Sequence, residues 1–219
     1  MAAKSKRDLN PKAFRQQFDQ GRTREYRDQE VVYSQGSPSA GVFYIRSGIV
    51  TLTMVSERRG RQGVLAVLKA GDFFGEDCLR KRTRRMSTAT SIGASTITCM
   101  ETGIFRQAIG RETMFAAAFI KYLLTQNARL KADLADHFFN SSEKRLARIL
   151  LMHVSLAQGV SSNVRFSQAT LAEMVGTTRG RVNKFMNQFK RKGYIRYSRG
   201  LYNGSLEIDA KRLATFLQP

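Results

Sequence analysis

The sequence predicts an α+β chain: an N-terminal antiparallel β-roll of jelly-roll type, a long dimerisation helix and a C-terminal winged helix-turn-helix. Three observations carry that prediction. Short β-rich runs broken by glycine fill Val31 to Met100, a helical apolar period takes over after Gly110, and Phe166 to Ile195 spells two short helices about a tight turn. The implied division is a polar segment over 1–25, the β-roll over 26–109, the dimerisation helix over 110–140 and the winged module over 141–219.

The β-rich runs are VVYSQG, GVFYIRSGIVTLTMV, GVLAVLKAGDFF and STATSIGASTITCM, a spacing that suits an antiparallel barrel or sandwich. Gly36, Gly41, Gly48, Gly60, Gly63 and Gly71 punctuate them at the expected turns, where glycine accepts positive φ. The first thirty residues are polar and are expected to be only partly ordered.

Beyond Gly110, Phe115, Phe119, Leu123, Leu130, Leu134 and Phe138 recur in steps of three or four with a gap at Asn127. That stripe is a seam for another helix. It suits either the chain's own domain or a second subunit; charged neighbours such as Lys121, Arg129, Lys131 and Asp133 favour the second, a parallel homodimer.

Another helical run, Ser142 to Gln158, opens on Ser141 or Ser142 followed by Glu143 and Lys144, an imperfect capping box. GVSSN, Gly159 to Asn163, reads as a loop, and the DNA-binding module begins near Val164.

In that module Ser167 caps the first helix, Leu171 and Met174 face inward, Gly176 makes the turn and Thr178 opens the second helix. This is the grammar of a helix-turn-helix. Val182, Phe185 and Phe189 give the second helix an apolar face, while Arg179, Arg181 and Lys184 project elsewhere near its start, placed for base edges and phosphates. An arginine there can fork onto O6 and N7 of a guanine, a contact worth about 1 to 3 kcal/mol of base discrimination. Ser167, Gln168 and Thr178 complete the DNA-facing set, and a solvated basic face is the alternative. Tyr194 to Ile208 alternates like two strands joined around Gly200 to Gly204, a wing whose Arg196 and Arg199 are in reach of the DNA backbone, or else a plain structural hairpin.

Charge supports a polyanionic partner, double-stranded DNA first. The net charge is +20, from 37 Lys and Arg against 17 Asp and Glu. Residues 140–219 hold 14 basic and 4 acidic side chains, net +10, and residues 1–139 hold 23 and 13, also net +10, so the density is highest in the last third. No apolar run approaches the roughly 20 residues of a membrane span, and the N-terminus lacks the apolar stretch of a signal peptide, so a cytoplasmic protein with no membrane partner is expected.

Cys78 and Cys99 show no CxxC spacing and read as packed thiols; His137 and His153 are too few for a triad or a metal site, and no metal is expected. An enzyme is not expected. A nuclease, the remote alternative, needs clustered carboxylates, and the adjacent acidic pair is Glu76 with Asp77.

Gly71 to Ser91, GDFFGEDCLRKRTRRMSTATS, combines a glycine turn, an acidic residue and an arginine nine positions later. Glu76 can accept a hydrogen bond from a ribose hydroxyl, Gly75 and the following amides can approach a phosphate, and Arg85 can neutralise it through a bidentate contact. The basic run Arg80, Lys81, Arg82, Arg84 and Arg85 suits a more anionic ligand such as a cyclic dinucleotide, a place beside bent DNA, or simple solvation.

VFYIRSGIV, GDFFGE, RRMSTA, a long helix and VGTTRGRV, in this order over about residues 26 to 208, resemble the CRP/FNR (catabolite activator and fumarate-nitrate regulator) family. The resemblance implies a cyclic-nucleotide-binding β-roll in which Glu76 takes the ribose, Arg85 the cyclic phosphate and Ser87 lies near the ligand. It also implies the dimer helix and winged module, with Arg179 matching a guanine-contacting arginine and Lys184 a second basic base-reading position. The effector-binding set is then Phe74, Gly75, Glu76, Cys78, Leu79, Arg85, Met86 and Ser87, and the effector is cAMP or a cyclic dinucleotide.

Three departures from the family pattern stand out. Gly180 replaces a base-reading glutamate, Asp77 puts a second carboxylate at the phosphate site, and no serine or threonine lies between Gln126 and Asn140 to hold an adenine. Neither a cysteine cluster nor haem ligands mark the chain start. The expectation is a homodimeric, sequence-specific regulator controlled through the β-roll, with RNA polymerase a possible partner. Its nearest rival is a regulator whose β-roll is structural and needs no effector.

Overall fold

The computed structural model describes residues 18–56, 62–80, 84–157, 167–197 and 206–217. Lys81, Arg82, Gly60, Arg199, the GVSSN loop, the wing tip and the side chain of His153 lie outside the described residues. Two compact units divide the chain, residues 1–55 with 66–132, and residues 56–65 with 133–219.

The first unit is built on strands β1 (Arg22–Tyr26), β2 (Val31–Tyr33), β3 (Gly41–Val55), β4 (Gln62–Lys69), β5 (Phe73–Phe74) and β6 (Thr88–Glu101). The sheet runs β1-β6-β3-β4, with β2 on β6 and β5 on β3. The two long strands β3 and β6 pair antiparallel from Gly41 opposite Glu101 to Thr53 opposite Thr88, with register shifts around Ser47. Next to that shift Gly48 has φ +93°, and a Cβ there would stand 2.2 Å from Ser95 Oγ, so the bend accepts only glycine.

Two-residue periodicity splits the apolar side chains between two clusters. Val42, Tyr44 and Phe73 join one, while Phe43, Ile45 and Phe74 join the other. Helix α1 (Thr102–Arg111) and helix α2 (Thr113–Phe139) follow β6, and Phe105, Phe115, Phe119 and Tyr122 from them close the first cluster.

Several expectations are corrected here. The described part of the segment 1–25 is not merely polar: Phe18 is fully buried in the first cluster, and β1 pairs along β6 from Arg22 opposite Cys99 to Tyr26 opposite Ser95. Gly41 and Gly63 lie within strands, whereas Gly36, Gly48 and Gly71 do take positive φ. A separate helix α1 occupies the end of the expected β-roll. Phe115 and Phe119, 2% and 4% exposed, belong to the chain's own core and leave no surface for a partner helix. Leu123, Leu130, Leu134 and Phe138 are exposed, at 37%, 60%, 56% and 73%.

The second unit comprises the end of α2, helices α3 (Ser142–Ala157), α4 (Gln168–Val175) and α5 (Arg179–Arg191), strands β7 (Ile195–Tyr197) and β8 (Leu206–Ile208), and helix α6 (Ala210–Phe216). Ser141 caps α3 by accepting the Lys144 amide at 3.3 Å. Arg145 donates to the carbonyls of His137, Asn140 and Val175 at 3.2, 3.1 and 3.0 Å. Leu146, Leu150, Leu171, Val182, Phe189 and Leu213 are buried together in one core.

Candidate DNA interface and effector cassette

Local capping sets the helix-turn-helix. Ser167 Oγ accepts the Thr170 amide at 3.0 Å at the start of α4, and Thr178 Oγ1 accepts the Arg181 amide at 3.3 Å at the start of α5. Between them Gly176 takes the left-handed conformation, φ 69° and ψ 43°, that ends a helix and turns the chain. One face of α5 is then consumed by packing, through Val182, Met186 and Phe189. Arg179, Arg181 and Lys184 are left exposed near the helix start, with Thr178 beside them.

Gly180 is exposed too, with no atom within 4 Å of an added Cβ. Ser167 is exposed and Gln168 half-buried at the start of α4, and Arg196 is exposed on β7. The wing strands pair antiparallel, Ile195 opposite Ile208 to Tyr197 opposite Leu206. Asn183 and Asn187, also exposed on α5, were missed in the sequence although helical periodicity puts them beside Lys184. Such a surface offers forked and amide donors over a cationic helix end, the chemistry that reads a major groove.

The cassette starts where β5 ends. Gly75 has φ +77°, and a Cβ there would lie 2.6 Å from Arg85 Nη1, so the arginine packs against the bare backbone. Residues Glu76–Arg80 form a 3-10 turn. Arg85 is anchored through its own backbone, which receives the Gly36 amide at 2.9 Å and donates to the Ser37 carbonyl at 2.8 Å.

The Arg85 side chain is 2% exposed. Nη1 donates to the Gly75 carbonyl at 2.7 Å and to Asp77 Oδ1 at 2.9 Å, and Nη2 donates to the Gly41 carbonyl at 2.7 Å. The guanidinium lies 4.4 Å above the Tyr33 ring and 5.3 Å from that of Phe43. Nε is buried without a hydrogen-bond partner. Asp77 is held in turn by Ser39 Oγ at 3.3 Å and by the Met86 amide, which donates to its other oxygen at 3.4 Å.

Burial pushes the Glu76 carboxyl above the usual carboxylate range and Asp77 adds to the rise, against the pull of its own amide and of Arg85. Ser87 is buried.

The cassette residues expected from sequence are thus only partly together. Gly75 and Arg85 are in direct contact and the Met86 amide bonds Asp77 although the Met86 residue is 44% exposed, whereas Phe74 stacks on Phe43 in a core cluster and Cys78 and Leu79 pack into the other cluster. Asp77 stands at the site as the sequence places it, and Ser39, Gly41 and Tyr33 join it unforeseen. Asp77 and two carbonyls already hold both terminal nitrogens of the guanidinium, leaving Nε without a partner, and a cyclic phosphate would meet the Asp77 charge; as arranged, the residues do not fit one.

Among the described residues no group of His, Cys, Asp and Glu is placed to hold a metal ion, and no helix is long and apolar enough to cross a membrane.

Residues 23–112 match the family model described as a cyclic nucleotide-binding domain, and residues 144–216 match a Crp-like helix-turn-helix domain. The chain is 28% identical over 189 residues to the CRP-like cAMP-activated global transcriptional regulator of Mycobacterium tuberculosis, covering 84% of this chain and 82% of that protein. It is 26% identical over 183 residues to the cyclic AMP receptor protein of Thermus thermophilus, covering 81% of each.

Its fold is similar to that of the c-di-GMP responsive global regulator CLP of Xanthomonas campestris, with a TM-score of 0.71, 18% identity and coverage of 89% and 98%. A CRP-family transcriptional regulator of Thermus thermophilus gives 0.73, 19% identity and coverage of 89% and 96%.

Proposed function

The chain belongs to the CRP/FNR family of DNA-binding transcriptional regulators, which are not enzymes, and from that premise we propose that it acts as a homodimer presenting two copies of α5 to successive major grooves of a roughly palindromic operator. The observation that carries this reading is the capped start of α5, where Arg179, Arg181 and Lys184 stand exposed while Val182, Met186 and Phe189 hold the helix down. Two-fold symmetry requires half-sites about one helical turn, roughly 34 Å, apart. The exposed Leu130, Leu134 and Phe138 support pairing of α2 with its copy.

Selection of an operator from random duplexes, followed by Arg179→Glu and Lys184→Glu on that operator, tests the reading. Both variants are expected to lose affinity and selectivity. Unchanged binding in both overturns the assignment of α5.

Control by cAMP or a cyclic dinucleotide is supported by the domain match and by the cAMP-activated relatives. A second reading, a β-roll that works without an effector, is favoured by one observation: Arg85 already has three acceptors from within the chain.

A further inference from the structure

We propose that Asp77 is a built-in anion that takes the place of a nucleotide phosphate on Arg85, closing the cassette on itself and excluding cyclic nucleotides. The inference deepens the effector-free reading by naming the residue responsible.

Three facts converge on Asp77. Its carboxylate receives an arginine nitrogen, a main-chain amide from Met86 and a hydroxyl from Ser39, on both of its oxygens. A guanidinium, an amide and a hydroxyl are the donor set that a phosphate recruits. The pair is also sheltered, with Arg85 2% and Asp77 20% exposed, so a charge missing from either side leaves the other poorly compensated.

Arg85 is immobilised as well. Its backbone is tied to Gly36 and Ser37, its terminal nitrogens to Gly75 and Gly41, and its plane lies over Tyr33. An incoming phosphodiester cannot draw the guanidinium outward without breaking those bonds. If it stays where the guanidinium is, it shares that cation with Asp77. Two anions on one buried cation repel, and removing the internal one frees the site for an external one.

The test is isothermal titration of the full chain with cAMP, cGMP and cyclic di-GMP. The wild type is expected to show no saturable binding. Asp77→Asn keeps an acceptor for Arg85 but removes the charge, and it is expected to bind at least one of the three with affinity about tenfold or more above the wild-type detection limit. Adding Arg85→Ala to that variant should abolish the gain. Asp77→Ser, which removes the charge with a smaller polar side chain, provides a second uncharged comparison should the asparagine variant fold poorly, and circular dichroism checks both.

If neither uncharged variant binds any of the three, Asp77 is not the excluding group; the inference fails while the effector-free reading stands. If the wild type binds one of them and Arg85→Ala abolishes it, the inference and the effector-free reading both fall.

Discussion

The hydroxyl of Tyr122 grips Phe73 twice, accepting its amide at 2.9 Å and donating to its carbonyl at 2.8 Å. The ring stands edge-on to that of Phe73, 4.9 Å between centroids. A residue of α2 thereby holds the strand that runs directly into Gly75 and the cassette. Tyr122→Phe keeps the ring packing and removes both bonds. Urea denaturation should show a loss of about 1 to 3 kcal/mol, the range for leaving buried main-chain groups short of a partner.

Gly176, in the turn between α4 and α5, has a φ of 69° that favours glycine, and an added Cβ would come within 3.2 Å of His137 Cε1. Gly176→Ala should cost about 1 to 2 kcal/mol in the same assay. Gly176→Asn should cost less from the backbone, since asparagine enters that region more readily.

The raised Glu76 pKa makes stability depend on pH in a defined direction. The folded state holds the Glu76 proton to higher pH than the unfolded chain does, because its carboxyl is buried. Its contribution is complete below the ordinary glutamate range and is lost as pH rises through the folded value. Unfolding free energies measured from acid to neutral pH should fall more steeply for the wild type than for Glu76→Gln. Parallel curves would remove Glu76 as the source.

The exposed apolar residues of α2 carry the dimer prediction. Leu130→Asp combined with Phe138→Asp should yield monomers in light scattering and a marked loss of affinity for a palindromic site. A double variant that remains dimeric would place the contact elsewhere.

Salt separates phosphate contacts from base contacts. The logarithm of operator affinity should fall linearly with the logarithm of salt concentration, with a slope of about −0.9 per phosphate neutralised. Arg196→Ala on β7 should reduce the magnitude of that slope by about 1 and leave base preference intact. Fluorescence anisotropy across a potassium chloride series reads both.

Much of the helix-turn-helix half was legible because its determinants are local. Ser167, Gly176 and Thr178 act within a few residues of themselves, and the buried Val182 and Phe189 follow the helical period. Helix α6 escaped notice although Asp209 caps it by accepting the Arg212 amide at 3.0 Å, because seven residues give too little periodicity.

In the β-roll, what was hidden depends on distant partners. β1 presents RTREY, with only Tyr26 buried, so its side chains read as loop; its strand character comes from main-chain pairing with β6. The period through Phe115 and Phe119 revealed a buried face but not that the chain's own Phe73 and Phe105 cover it. Asp77 was visible as an oddity, yet its ties to Ser39 and Arg85 cross 38 and 8 residues of sequence.

Arg145 spreads its donors over the last residues of one helix and the end of another, touching His137, Asn140 and Val175. Val175 is the residue before the turn that leads into α5. A twist in the final turn of α2 therefore reaches that turn through a single guanidinium. Lysine at this position would keep the charge but slacken the coupling, because one mobile ammonium cannot hold both helix ends in register.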